Sequence, residues 1–520
     1  MTPREARLLH DSLLVVAADP ARAKKTAVIV EGAPHSYAEL LDEALRLASA
    51  LRDRGIDRGD RVAIYMDNTW PCVVSIFGIL IAGGVFLIVN PQTKADKLAF
   101  ILDDSGARVL LTDAHLAKEF VPALEQVAHA PAVICSRLDD SVGAAESFET
   151  VIASSAPLAT RAATIPLDLA ALIYTSGSTG NPKGVMQTHQ AMVFTAGSLV
   201  EYLRLDVDAR ILCMLPLAFD YGLYQLLMSV RLGATLVLER SFTFPAQIFA
   251  RMRESDVSVF PGVPTIFAML LAAHSREALS FPKVTRVTNT AAALPDDSAL
   301  RLREVFPNAL IYKMYGLTEC KRVSYLEPEL IDAKPGSVGK AIPGTEVYLL
   351  SPEGREVAPG EAGILHVRGP HVMLGYWNRP DLSAHMLKAG KLPGERVLCT
   401  QDHFRMDDEG FLYFVGRTDD IIKTRGEKVS PVEVENVIHG LDGIREAAVV
   451  GVEDAVLGQA VRAYIVLNPG VSLDERRIRA HCAAHLENFM VPRDIVLCAD
   501  LPRTATGKVS KKALLENPPA

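Results

Sequence analysis

From residue 25 to about residue 345, short apolar runs rich in β-branched residues alternate with amphipathic stretches, and that order admits few folds. RVAIYM, GVFLIV, ARVLLT, ALIYTS, ILCMLP, ATLVLE, VSVFPG and NALIYKMYG each precede or follow a segment with helical spacing. A run that is apolar at nearly every position belongs to a strand covered on both faces. Interleaved helices supply the cover and the crossovers, so the expected class is α/β, with helix-covered parallel sheets. Beyond Gly344 the pattern turns to short strands with turn signals (SPEG, MDDEG), which predicts a β-rich subdomain. The charge-dense segment GRTDDIIKTRGEKVSP follows. From Val432 onward EVENVIHGL, EAAVVGV, AVRAYIVLN, DERRIRAHCAAHL and DIVLCA read helix, strand, strand, helix, strand. A boundary is expected near Asp419, between a large multi-subdomain N-terminal domain (1–418) and a small α+β C-terminal domain (419–520). At 520 residues the chain is too long for one core.

A net charge of -8 gives no reason to expect nucleic acid or an anionic membrane as partner. Seven cysteines, at 72, 135, 213, 320, 399, 482 and 498, are scattered, odd in number and contain no C-x-x-C. That distribution suits a reducing cytoplasm and argues against a disulfide frame or zinc site. The start, MTPREARLLHDSL, mixes acids and bases with no apolar signal segment. Cys72 to Val89, CVVSIFGILIAGGVFLIV, has the length of a membrane span. Gly83-Gly84 interrupt it and its second half is β-branched, so a buried helix turning into a buried strand is expected instead. No membrane insertion is expected, and the oligomeric state is not legible.

Candidate chemistry begins at TSGSTGNPKG, Thr175 to Gly184, between the apolar run LALIY and a helix expected to start at a Thr188 cap. A backbone almost free of side chains can turn its N–H groups around an anion, and Lys183 adds a compact charge, so phosphate is the expected guest. The nucleoside-triphosphatase pattern G-x-x-x-x-G-K-[ST] fits at Gly177 and Lys183. It fails at Pro182, where glycine is required, and at Gly184, where a hydroxyl should hold magnesium. A plain linker is the bland alternative, but linkers seldom join a buried strand to a helix inside an apolar region.

Three more clusters follow. In MYGLTEC, Met314 to Cys320, Tyr315 can stack on a base, Thr318 can meet a phosphate and Glu319 can hold magnesium. In TQDHFRMDDEGFLYFVGRTDD, Asp402 can accept two ribose hydroxyls, with Arg417 a second reach toward the sugar. In LPRTATGKVSKKAL, Lys508 follows a glycine in a turn, where an ordinary surface lysine is the default.

Together with HSYAEL, GDRVAI and FPGVPT, these segments resemble, in this order and over nearly the whole chain, the adenylate-forming (AMP-binding) superfamily. Its members include acyl-CoA synthetases, peptide-synthetase adenylation domains and luciferases. The resemblance implies a two-step, ATP- and Mg²⁺-dependent ligase: a carboxylate attacks the α-phosphorus, pyrophosphate leaves, and a thiol then displaces AMP. It implies that Thr175, Ser176, Gly177, Ser178, Thr179, Gly180 and Lys183 hold the β- and γ-phosphates. Ala292 and Tyr315 would sit at the adenine, Asp402 and Arg417 at the ribose, Thr318 and Glu319 at the reacting phosphate, with the metal on Glu319. Lys508 would bridge carboxylate and α-phosphate oxygens as the catalytic cation. Phe219, Asp220, Gly316 and Cys320 would line the acid pocket, Asp419 would be the hinge of a mobile small domain, and Gly426 would border the acceptor tunnel. The implied partners are a small-molecule acid and either CoA or a separate phosphopantetheinyl carrier protein. Two alternatives stay open: passage of the activated acid, or an oxyacid such as nitrite, to a nitrogen nucleophile, and a non-catalytic nucleotide-binding relative.

Three departures from the family pattern carry weight. The adenine-side loop, commonly Gly-Gly-Ala-Pro-Leu, is TAAALP from Thr290 to Pro295, which is expected to narrow the acid pocket. The usual TGD is TQD, a change expected to be tolerated at Gln401. PLAFDYG, Pro216 to Gly222, lacks a histidine frequent in acyl-CoA ligases and resembles the Phe-Asp of amino-acid adenylation domains, where the aspartate pairs with a substrate ammonium. A buried carboxylate needs a cation, so an amino-bearing acid is one expectation for Asp220; a helix N-cap is the other. Cys320, Lys321 and Arg322 are open between an acceptor-side lining, contact with an acidic group on the substrate, and ordinary loop residues.

Overall fold

The computed structural model describes residues 6–175, 182–290, 294, 296–417, 420–424, 427–454, 458–486, 488–504 and 507–516. The residues between them, including Ser176, Gly177, Ser178, Thr179, Gly180, Ala292, Asp419 and Gly426, lie outside the described residues. The architecture is α/β: large helix-covered sheets, a β-rich unit and a small α+β unit.

Each apolar run of the amino-terminal region became a strand. A seven-stranded sheet runs edge to edge through Glu146–Ser147, Ala132–Ser136, Val109–Asp113, Arg61–Tyr65, Val85–Ile88, Leu169–Thr175 and Lys183–Thr188. All its pairs are parallel except the last. A nine-stranded sheet takes Thr235–Leu238, Arg210–Cys213, Val259–Gly262, Arg286–Asn289 and Leu310–Tyr315 as its parallel centre, with antiparallel additions at both edges. Its far edge is made of Thr26–Val30 and Ala33–Ser36, the first strands of the chain, because Thr26–Val30 pairs in parallel with Thr235–Leu238.

The apolar stretch at Cys72 folds as read. Thr69 caps the helix Trp70–Ala82 by accepting from the Cys72 N–H. Gly83 ends it at φ 92°, a left-handed conformation that costs glycine nothing, and the strand Val85–Ile88 follows. The helix is buried nearly all round, so hydrophobicity on every face here means a core element. Gly78 explains how it packs: a Cβ there would lie 2.8 Å from Leu47 on the helix Tyr37–Asp53. That second helix starts with a reciprocal capping box, Ser36 with Glu39, and turns Leu40, Ala44, Leu47, Ala48 and Leu51 inward at helical spacing. Among the described residues no helix is long and apolar enough to cross a membrane.

The β-rich unit is an antiparallel sheet of Glu346–Leu350, Ala362–Arg368, Arg396–Met406 and Leu387–Ala389, with Leu412–Arg417 paired to Arg396–Met406. The last sheet gathers Glu427–Val429, Ile422–Thr424, Gly458–Leu467, Ile444–Asp454 and Asp494–Leu497 around apolar clusters of its own. Its helices Pro431–His439 and Glu475–His485 complete the pattern read from sequence, and Lys511–Glu516 adds one more.

Candidate active site

In open parallel sheets the crevice beyond the carboxyl ends of the strands is where ligands bind. Here Leu169–Thr175, Arg286–Asn289 and Leu310–Tyr315 all end toward the residues singled out from sequence. Leu169–Thr175 returns as the antiparallel strand Lys183–Thr188, with Thr175 opposite Lys183. The Thr175 hydroxyl is buried and has no hydrogen-bond partner among the described residues. On its other side the returning strand pairs with residues 374–377: the Met186 N–H donates to Gly375, and the Trp377 N–H to Gly184. That pairing brings Tyr376 to Lys183.

Lys183 Nζ donates to the Tyr376 hydroxyl at 2.8 Å, and that hydroxyl donates to Glu319 Oε1 at 2.6 Å. Lys183 Nζ is also 3.7 Å from Glu319 Oε1. Burial, and then the neighbouring Glu319 charge, push the Tyr376 phenol well up, so it remains a donor at any working pH. The Met373 N–H and the Gln187 side chain hold the carbonyls of Glu319 and Thr318, which fixes the loop that carries them. Tyr376 was missed in the sequence. The available signal was Gly375, held at φ 142° where a Cβ would meet Ser383 Oγ at 2.8 Å, followed at once by two aromatics.

Asp402 and Arg417 face each other in register on paired strands, so the sheet itself builds their contact. Arg417 Nε lies 3.3 Å from Asp402 Oδ1, and the Tyr315 hydroxyl donates to Asp402 Oδ2 at 2.5 Å. Both carboxylate oxygens therefore have partners, with lone pairs left for further donors. Burial raises the Asp402 carboxyl, and Arg417 opposes the rise. The Tyr315 ring packs on Phe404 and Phe414, at centroid distances of 4.7 and 6.3 Å. The TQD departure is visible next door: Gln401 sits at φ 62°, where glycine would be unstrained.

Lys508 stands on a turn in which the Thr504 N–H donates to its carbonyl. Lys508 and Arg417 are both exposed. Burial and then the Arg417 charge lower the Lys508 ammonium, while Asp402 and Glu319 act in the opposite sense. A lysine from the last sheet unit thus shares one electrostatic neighbourhood with the ends of the nine-stranded sheet and the β-rich unit.

Among the residues expected to line the acid pocket, the structure corrects the reading of Asp220. Asp220 was expected to await a substrate ammonium or to cap a helix. Its Oδ1 instead accepts from Lys321 Nζ, whose side chain is only 2% exposed. The helix Asp220–Leu232 has Phe219 at its N-cap position and no side-chain cap bond. The required cation is intramolecular, which removes the ground for an amino-bearing acid. Lys321 reaches it from a left-handed residue, φ 63°, and its carbonyl would lie 2.2 Å from a Cβ on Gly316. Gly316 is therefore needed for the turn, and backbone fills the place a side chain would take. Cys320 was assigned to the pocket but is fully buried in the main core, where burial pushes its thiol well up. Arg322 donates through Nη1 to Thr290 Oγ1 at 2.6 Å and lies under the ring of Tyr221.

The family described as AMP-binding enzyme matches residues 16–377, and the AMP-binding enzyme C-terminal domain matches residues 433–508. The chain is 30% identical to the long-chain-fatty-acid–CoA ligase of Bacillus subtilis (strain 168), over 99% of this chain and 96% of that protein. It is 32% identical to the benzoate–CoA ligase of Thauera aromatica, over 94% and 92% of the two chains. The crystal structure of a benzoate CoA ligase from Burkholderia xenovorans LB400 superposes with a TM-score of 0.87 at 30% identity, covering 98% of this chain and 99% of that one.

Proposed function

Because this chain belongs to the AMP-binding enzyme family and is an AMP-forming ligase of the acyl-CoA synthetase type, we propose that it activates a carboxylic acid with ATP and passes the acyl group to the thiol of CoA. The observation that supports the reading is the linkage of Lys183, Tyr376 and Glu319, together with Asp402 held by Tyr315 and Arg417, residues drawn from distant segments of the chain.

In the first step a carboxylate oxygen attacks the α-phosphorus, the bond from that phosphorus to the bridging β-oxygen breaks, and pyrophosphate leaves. Both partners are anions, so donors set in place beforehand are the main help a protein can give. Lys508 brings the incoming carboxylate and the α-phosphate oxygens together. Thr175 and Lys183, with the small residues from Ser176 to Gly180, hold the outer phosphates; the unpartnered Thr175 hydroxyl suits that task. Tyr376 keeps the Lys183 ammonium aligned with Glu319. Asp402 receives ribose hydroxyls, with Tyr315 and Arg417 fixing its orientation.

Magnesium fits this donor set. Mg²⁺ asks for only one or two protein carboxylates beside phosphate and water. Among the described residues Glu319 is engaged only through Oε1, leaving Oε2 as the protein ligand. When bound, the ion would neutralise charge that develops on the departing pyrophosphate.

In the second step the thiol sulfur attacks the acyl carbon, the bond to the AMP oxygen breaks, AMP leaves, and the thiol proton passes to solvent. Lys508 has no part in it, so the C-terminal unit is expected to swing away at Asp419, presenting Gly426 to the acceptor. Incubation with ATP, Mg²⁺, CoA and a panel of acids tests the whole reading. AMP, pyrophosphate and a thioester should appear together; ADP and orthophosphate without AMP would refute it.

A further inference from the structure

We propose that the acid this protein activates carries a second carboxylate, which docks on Arg322. The inference rests on the ligase reading above and adds a substrate class to it.

Arg322 is only 5% exposed. One of its nitrogens donates to Thr290, and its guanidinium carbon lies 5.7 Å from the centre of the Tyr221 ring. Its Nε is buried with no hydrogen-bond partner, and no carboxylate pairs with it, both among the described residues. The carboxylate within the same cluster, Asp220, is spent on Lys321. Asp220, Lys321 and Arg322 together therefore carry one uncompensated positive charge in a buried place. Neither a hydroxyl nor a tyrosine face supplies what a buried cation requires, which is an anion with paired oxygens. The planar guanidinium fork matches a carboxylate better than any other common group.

The placement agrees with a substrate role. Arg322 follows Glu319 by three residues on the loop that leaves Leu310–Tyr315, and Thr290 immediately follows Arg286–Asn289. The cluster thus adjoins, along the chain, the strand ends that carry the proposed nucleotide residues. Two more polar atoms on neighbouring helices, the Tyr224 hydroxyl and Ser198 Oγ, are buried without partners among the described residues. Lys321 Nζ is 5.9 Å from the Tyr224 ring, so Tyr224 belongs to the same cluster. A monocarboxylic acid, once its carboxylate is turned toward Lys508, brings nothing to Arg322. An ammonium-bearing acid would meet a net positive wall.

The test compares α,ω-dicarboxylates of increasing length with monocarboxylates of the same chain length, in pyrophosphate exchange by the unaltered enzyme. At least one diacid should exceed its matched monoacid by about 30-fold or more in kcat/KM, the usual effect of completing a buried charge pair. Diacids should also raise the thermal midpoint of the ATP-loaded protein more than monoacids do, a readout independent of turnover. Arg322→Gln should collapse the diacid-to-monoacid ratio toward one, and Arg322→Lys should restore part of it. Equal exchange with diacids and monoacids would overturn the proposal while leaving the ligase reading intact. So would a diacid preference that survives Arg322→Gln. Absence of AMP with every acid would overturn both.

Discussion

The two ends of the crevice solve the problem of buried charge in opposite ways. Around the proposed nucleotide site two charged groups already have protein partners: Lys183 with Tyr376 and Glu319, Asp402 with Tyr315 and Arg417. Around the proposed acid site the protein pairs Asp220 with Lys321 and leaves Arg322 without a carboxylate partner, its Nε unbonded, among the described residues. A cleft that must admit the same cofactor at every turnover is preorganised by its own contacts, so little rearrangement is left to binding. On the proposal above, the acid end keeps one charge in reserve for a ligand that answers it.

The comparison breaks first at Lys508, the proposed catalytic cation. Lys508→Ala should lower adenylate formation by about 100- to 1000-fold or more and spare thiolysis of a supplied acyl adenylate. Equal loss in both half-reactions would remove the assigned role. At the acid end the largest structural effect belongs to Gly316. A methyl group there meets the Lys321 carbonyl at 2.2 Å, so Gly316→Ala should destabilise by about 3 kcal/mol or more, measured by denaturant unfolding. An unchanged midpoint would mean that the Lys321 turn yields easily.

Finer tests separate the pairings. Tyr376→Phe deletes the hydroxyl linking Lys183 to Glu319 and should reduce kcat/KM for ATP by about tenfold to 100-fold, as for other hydrogen bonds to charged groups. Arg417→Ala removes the strongest influence holding the Asp402 carboxyl down against burial. On the proposed ribose role of Asp402, its protonation sets the acid limb of activity, so that limb should move to higher pH in the variant; a limb that stays put would detach Asp402 from the profile. The smallest effect is expected at Gln401, where Gln401→Gly relieves a left-handed φ of 62° and should stabilise by at most about 1 kcal/mol.

Much of the large domain was legible because strands buried on both faces advertise themselves as unbroken apolar runs. The partition into two parallel sheets was not, since the apolarity of Thr26–Val30 says nothing about whether its neighbour is Arg61–Tyr65 or Thr235–Leu238. The site was legible one residue at a time. Lys183, Glu319, Asp402 and Lys508 stood out singly, but what links Lys183 to Glu319 is a phenol at Tyr376, a residue type too common to notice until a strand pairing delivers it. Asp220 and Lys321 were each noticed too. Nothing in a separation of 101 residues indicated that they would neutralise each other.

The first strand of the chain completes a sheet whose next member lies 209 residues further on, where the Thr235 hydroxyl reaches the Thr26 carbonyl. During synthesis this segment must therefore wait, unpaired along one edge, until the ribosome has delivered more than a third of the molecule. Severing the polypeptide between the two sheets would not release two independent pieces, because the leading fragment would carry away an edge that belongs to the trailing one.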